Sequence, residues 1–225
     1  MNLSRFYRVS AVVLAAMVIV TAWGLSQVGP DAEVPIHWNA SGDPNGYGSA
    51  LVAFVLVPLI TLGIVALMAV VPRIEPRREN LQRSGSAYRS VAIALVLLML
   101  AVHIAVVVAG TGNPVPMGAL IGGGVGLLFA VMGNVLVTVR SNFMFGVRTP
   151  WTLSSDLAWD RTHRLIGRLF VIGGIGMVAL ALTGQLLWVI SVMLGFIVVV
   201  LIVAVVYSYR VWASDPDRRP VGGGS

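Results

Sequence analysis

Leu169 to Tyr209 reads LFVIGGIGMVALALTGQLLWVISVMLGFIVVVLIVAVVYSY, without one Asp, Glu, Lys or Arg. Each crossing of a hydrocarbon core takes about 20 apolar residues, so the stretch has room for two. Gly184 and Gln185 supply a tight turn near its middle. Upstream, residues 90 to 139 are equally free of charge. Backbone groups in lipid must be paired within the segment, which makes each crossing a helix. The pattern predicts six apolar spans: Val9 to Val28, Ala50 to Val71, Ser90 to Ala109, Met117 to Val139, Leu165 to Thr183 and Leu186 to Tyr207. The fold class is therefore an all-α polytopic membrane protein with six transmembrane helices. Composition excludes a soluble domain, which carries about a quarter charged residues; here 57% of 225 residues are hydrophobic and 11% charged, with mean hydropathy +0.90.

Orientation follows from arginine, which supplies all 15 basic residues. Every one falls in the amino tail, in the 73–89 and 140–168 connections, or in the carboxyl tail. Asp31, Glu33 and Asp43 fall in the opposite connection, residues 30–49. The basic bias predicts both termini in the cytoplasm of a bacterial plasma membrane. The net charge of +6 is thus an orientation signal, and no direct nucleic-acid contact is expected. The first span, preceded by Arg5 and Arg8, reads as a retained anchor: it is long for a signal peptide and no small-x-small site closes it. The chain divides into a two-helix segment (1–72), a cytoplasmic linker (73–89), a four-helix segment (90–212) and a tail (213–225). Gly222 to Ser225 is a low-complexity piece, native or a linker, and carries no functional reading.

Three features of the spans and their outer connections bear on chemistry. Gly118, Gly122 and Gly126 recur at four-residue spacing, continued by Ala130 and Asn134, and make a strip for close helix packing. Gly173, Gly174 and Gly176 make the fifth span the natural partner. His103 is the one strongly titratable side chain inside a span, a polar group expected to bond to a neighbouring helix. Outside, Asp43-Pro44-Asn45-Gly46 is turn chemistry. It predicts a compact cap that presents His37, Trp38, Asn39, Asp43 and Tyr47 to a cationic or amphipathic partner. Zero cysteines remove thiolate chemistry, and a lone His37 without spaced partners is not a metal site. Neither a cofactor nor a catalytic residue is expected. Ser154, Asp160 and His163 have the residue types of a triad but not its arrangement.

The inner loop between spans four and five is the most distinctive stretch. Pro150 disfavours helix at Thr149, and Ser154 or Ser155 before Asp156 starts a helix. That helix is expected at the membrane interface with Trp159 toward lipid. Arg164 and Arg168 share one face and repel unless an anion, such as lipid phosphate, sits between them.

Gly133-Asn134, Asn142, the run Gly146-Val147-Arg148-Thr149-Pro150-Trp151-Thr152-Leu153, then Trp159, His163, Arg164 and Gly167 resemble the signature of the SdpI family of bacterial immunity proteins. The Pro35-Ile36-His37-Trp38-Asn39 segment with Gly42-Asp43-Pro44 resembles a two-helix domain of unknown function often joined to it. Together the resemblances cover residues 10–72 and 90–207. They imply a protein that protects its producer from a secreted toxin peptide, with the outer loop as toxin-facing surface. They also imply signalling, in which a small cytoplasmic transcriptional repressor is held at the signature loop, around Asn142, Arg148, Thr149, Trp151 and Thr152. The competing reading is a small-molecule or lipid transporter that uses the glycine strip and His103. It would lack carboxylate-based ion coupling, since no Asp or Glu lies in a span.

Overall fold

The computed structural model describes residues 1–39 and 41–221, so the Gly222 to Ser225 segment lies outside the described residues. Helix α1 spans Ser4–Val28 and leads to a hairpin of β1 (Glu33–Trp38) and β2 (Pro44–Ser49). Then come α2 (Ala50–Ile74), the short α3 (Arg78–Arg83), α4 (Gly85–Gly110) and α5 (Met117–Leu136). The short α6 (Pro150–Ser154), α7 (Asp156–Ala181) and α8 (Leu186–Ala213) complete the order. Helices α1, α2, α4, α5, α7 and α8 are long and apolar enough to cross a membrane. This is a multi-pass membrane protein.

At the arginine-rich end the helices outrun the apolar stretches. α4 starts at Gly85 and not Ser90, α7 at Asp156 and not Leu165, and α8 continues to Ala213. Charge is excluded from lipid but not from a helix, so hydropathy marks the crossing and misses its extension. The 73–89 linker is for the same reason mostly helical, made of the end of α2, α3 and the start of α4.

The connection between α1 and α2 is a hairpin, an exception to the all-α expectation. Its antiparallel register pairs Glu33 with Ser49 and Trp38 with Pro44, with an irregularity around His37. The ladder continues into α2: Ala50 N–H donates to Ala32 C=O at 2.8 Å and Leu51 N–H to Pro30 C=O at 3.0 Å. Two of the orphan donors at a helix start are satisfied in this way. Val34 is buried in a cluster with Phe54 of α2, Val107 of α4 and Met117 of α5, and Trp38 packs on that cluster. The hairpin is thus seated on the helix ends.

Helix α2 contains Pro58 and Pro72. Each lacks the N–H that would bond the carbonyl four residues earlier, which frees Phe54 C=O and Met68 C=O. Both carbonyls are taken up by hydroxyls from neighbouring helices. Thr21 Oγ1 donates to Phe54 O at 3.0 Å, and Tyr88 Oη donates to Met68 O at 2.8 Å. With its hydrogen given to Phe54, Thr21 Oγ1 accepts from His103 Nε2 at 3.2 Å, and Nε2 also lies 3.1 Å from Met17 O. Fully buried His103 therefore completes a polar knot of α1, α2 and α4, as a histidine of α4 bonded through Nε2 to α1.

The second half packs backbone to backbone. A Cβ on Gly126 would stand 2.7 Å from Gly174 O, and one on Gly167 would stand 2.8 Å from Gly133 O. Gly122 faces Val189 of α8 and Ala181 of α7. The strip is thus occupied by α7 and α8, not an open groove. Beyond Gly126 the contact row passes through Gly133, because a four-residue spacing drifts off a 3.6-residue helix face. Asn134 is carried to the exposed side and does not bond across the contact.

Thr21→Val should lower the unfolding free energy by about 1–2 kcal/mol, and by less than half as much in a Pro58→Ala background, where the helix bond is restored. Melting of the four proteins of this cycle in detergent measures it, and equal penalties in both backgrounds would break the link. In the same assay Gly174→Ala, whose Cβ meets Gly126 O and Ala130, should cost about 1–3 kcal/mol. Gly176→Ala, with no heavy atom within 4 Å, should be neutral or stabilising.

Candidate functional site: the loop between α5 and α7

The chain from Val137 to Thr149 forms neither helix nor strand, so its main-chain polar groups need partners from elsewhere. Asn142, fully buried, supplies four of them. Its Nδ2 donates to Arg140 O at 2.8 Å and Phe145 O at 2.9 Å, while Oδ1 accepts from Met144 N at 3.0 Å and Phe145 N at 2.6 Å. Both ends of the amide are used in full, which identifies asparagine as the residue this turn requires.

The connection between α2 and α4 grips the same turn from one side. Glu75 ends α2 with 3% exposure, and its carboxylate accepts from Arg77 N–H at 2.8 Å and Phe143 N–H at 3.1 Å. The Arg77 guanidinium donates to Ser141 Oγ and, at 3.0 Å, to Leu153 O, and lies over the Phe143 ring at 4.7 Å. Asn80 Nδ2 donates to Ser141 O at 2.8 Å, and Arg140 N–H donates to Ser84 Oγ at 2.8 Å.

Helix α7 grips it from the other side. Trp159 Nε1–H donates to Val139 O at 2.7 Å, and its ring stacks on His163 with centroids 4.0 Å apart. Val147 N–H donates to His163 Nε2 at 3.0 Å, so the proton is on Nδ1, which donates to Trp159 O at 2.8 Å. This is the neutral imidazole with both nitrogens committed. Gly146 lies beneath it at φ 121, and a Cβ there would stand 2.5 Å from His163 Nε2. The position excludes side chains twice, by backbone conformation and by space.

The Arg-Thr-Pro-Trp-Thr run is a capping box. Thr149 is extended before Pro150, its Oγ1 accepts from Thr152 N–H, and Thr152 Oγ1 accepts from Thr149 N–H. Thr149 Oγ1 also donates to Ser208 of α8 at 3.0 Å. Ser155 caps α7 by accepting from Ala158 N–H at 2.9 Å and donates to buried Asp215 beyond α8. Trp151 packs edge-on against Tyr209.

The structure brings Asn142, Gly146, Thr149, Thr152, Trp159 and His163 together, but as framework and not as surface. Asn142, Thr149, Thr152, Trp159 and His163 are buried. Trp159 turns inward and not toward lipid, because its indole N–H is the partner of a loop carbonyl. The face left open consists of Phe143 and Met144, exposed at 39% and 36%, with Arg148, Pro150 and half-buried Trp151. Asn134 and Arg164 are exposed; Arg164 lines a cleft with Val137 to Arg140 at the start of the loop but takes no part in its hydrogen bonds. Sequence reading missed Glu75, Arg77, Asn80, Ser84 and Asp215. One signal was available: Pro76 disfavours helix at Glu75, marking a lone carboxylate between Arg73 and Arg77 as a helix-ending cap.

At the opposite end, the hairpin exposes Ile36, His37, Asp43, Asn45 and Tyr47. His37 Nδ1–H donates to Asn45 Oδ1 at 2.6 Å, which fixes the ring across the strands. Asn39 Oδ1 accepts from Ser41 and Asp43 N–H, so Asn39 shapes the turn, and half-buried Trp38 anchors the hairpin.

Residues 138–208, which run from the signature loop through α7 and most of α8, match the SdpI/YfhL protein family. Residues 12–62, which hold the hairpin and most of its two helices, match a domain of unknown function (DUF1648). The family match starts at Thr138, so α4 and α5 stand outside it. The whole chain is similar to the immunity protein SdpI of Bacillus subtilis (strain 168), with 25% identity over 201 residues that cover 89% of this chain and 93% of that protein. No solved structure matches the chain.

Asn142→Asp should be nearly as harmful as Asn142→Leu despite its identical shape, because a carboxylate oxygen would face the Arg140 and Phe145 carbonyls. Each should cost at least about 2 kcal/mol, since buried unpaired groups cost about 1–3 kcal/mol. Both should speed tryptic cleavage after Arg148 in membranes. Cleavage of Asn142→Asp at the rate of the unaltered protein would show that the amide does not hold the loop.

Proposed function

We propose that this protein is a membrane immunity factor that protects its producer from a secreted killing peptide met at the hairpin. The observation that carries the reading is its similarity, over nearly the full length of both chains, to a protein named for immunity. The hairpin supports the placement. It is an ordered structure beyond the spans at the arginine-free end, and it offers an acidic and aromatic face in Asp43, His37 and Tyr47. That face suits a cationic, amphipathic peptide arriving at the membrane surface. By the arginine bias both termini are cytoplasmic, which puts the hairpin outside the cell.

Signalling belongs to the same proposal. Helix α2 leaves β2 directly and ends in Glu75, whose carboxylate holds Phe143. A shift of α2 under the hairpin would therefore reach Phe143 and Met144, where a cytoplasmic repressor would dock on an apolar tip beside Arg148. Nothing in the packing favours the transport reading, since α7 and α8 occupy the glycine strip.

Expression in a sensitive strain should raise survival against the cognate peptide. His37→Ala with Tyr47→Ala should return survival to the empty-vector level while protein abundance is unchanged. Full protection by that double variant would remove the hairpin from the reading. Phe143→Ser with Met144→Ser should retain protection and abolish membrane recruitment of the repressor. A carboxyl-terminal phosphatase fusion should be inactive and a fluorescent fusion bright.

A further inference from the structure

Arg161, Arg164, Arg168, Ile172 and Ile175 follow one another at steps of three and four residues, which makes them one stripe along α7. All five are exposed, Ile172 at 69% and Ile175 at 60%. Of the residues between the arginines, Thr162, His163, Ile166 and Gly167 are buried and Leu165 is half-buried. The stripe is therefore cationic at the loop end and apolar where α7 enters the membrane. Its three guanidinium groups span about two helical turns, roughly 10 Å along the axis. They open onto a cleft completed by Leu165 and by Tyr207 of α8.

Among the described residues, none hydrogen-bonds to or ion-pairs with these three guanidinium groups. Among the described residues, the arginine side chains that hydrogen-bond to the protein are Arg77, Arg78, Arg89, Arg148 and Arg218. The stripe has no share in those bonds. Asp160 lies on a neighbouring cleft that it shares with Arg164, Arg83 and Arg140, so arginine outnumbers carboxylate there as well. Like charges at this spacing repel, and guanidinium is suited to bidentate contact with phosphate. A soluble anion would answer the charge but leave the apolar continuation of the stripe unused. A phospholipid matches both parts in order, headgroup then chain.

We propose that this stripe is a binding site for one anionic glycerophospholipid from the leaflet at the arginine-rich end of the bundle. Arg164 and Arg168 hold the phosphate with Arg161 at the rim, Tyr207 offers a phenolic O–H to the same cleft, and an acyl chain lies along Ile172 and Ile175. The site is independent of the immunity reading and stands or falls without it.

Full-length protein in mild detergent, titrated with phosphatidylglycerol or phosphatidylcholine, is read by native mass spectrometry, with inorganic phosphate as competitor. The expected result is retention of phosphatidylglycerol with at least about a tenfold preference over phosphatidylcholine, undisturbed by phosphate. Arg161→Gln with Arg164→Gln and Arg168→Gln should lose the preference. Arg5→Gln with Arg8→Gln and Arg73→Gln, which removes the same charge elsewhere, should keep it. Equal retention of the two lipids by the unaltered protein, displacement by phosphate, or an unchanged preference in the stripe variant would each overturn the site. Melting of the unaltered protein is a second reading that needs no variant: phosphatidylglycerol should raise the midpoint more than phosphatidylcholine, and equal shifts would overturn it too.

Discussion

Phe54 and Met68 carry carbonyls that a proline four residues later leaves without a helical donor, in surroundings where no water replaces it. The need to pair such groups organises the whole molecule. Thr21 and Tyr88 answer it within the amino-terminal helices, and answering it ties α1 and α4 to α2. Asn142, Glu75, Trp159 and His163 answer it for the loop after α5, where the helix stops and a run of main-chain groups is released at once. Hydrophobic contact adds little between helices that lipid already solvates, so these bonds and the close glycine contacts of α5 with α7 carry the specificity.

One consequence is that two segments matching different families are joined through polar contacts and not only through a covalent linker. Glu75, Arg77 and Asn80 belong to the stretch between the two matched regions, yet they hold Phe143, Ser141 and Leu153 of the signature domain. The hairpin, α2 and the loop form a continuous path through the molecule, with Val34 seated among the helices at one end and the Glu75 carboxylate at the other. Residues that draw the eye as a signature therefore divide into two kinds. Asn142, Gly146, Thr149, Thr152, Trp159 and His163 build the loop. Phe143, Met144, Arg148 and Pro150 are what it presents.

Much of this was legible from residue types with a unique physical use. Pro150 disfavours helix at Thr149 and a serine before Asp156 starts one, and the structure has Thr149 extended and Ser155 capping α7; Gly146 and Asn142 stand out in the sequence only through the family resemblance. The inward turn of Trp159 was not legible, because an aromatic near a membrane boundary suits the interface equally well until a free carbonyl, Val139, is placed beside it. The strands of the cap escaped for a related reason. Pro35, Pro44 and three glycines give a segment little strand propensity, and its pairing is imposed by Val34 and Ala50 being buried together.

The sequence by itself determined the number of spans, the separation of basic from acidic connections and the break in helix before Pro150. These depend on hydropathy, charge and backbone freedom, which each residue carries alone. Only the tertiary structure decided which carbonyls Thr21 and Tyr88 serve, which glycines of α5 meet α7, and that the signature residues are buried while their neighbours are exposed. Those outcomes belong to pairs of groups distant along the chain, and lipid, which offers polar groups no partner of its own, strongly favours such pairing.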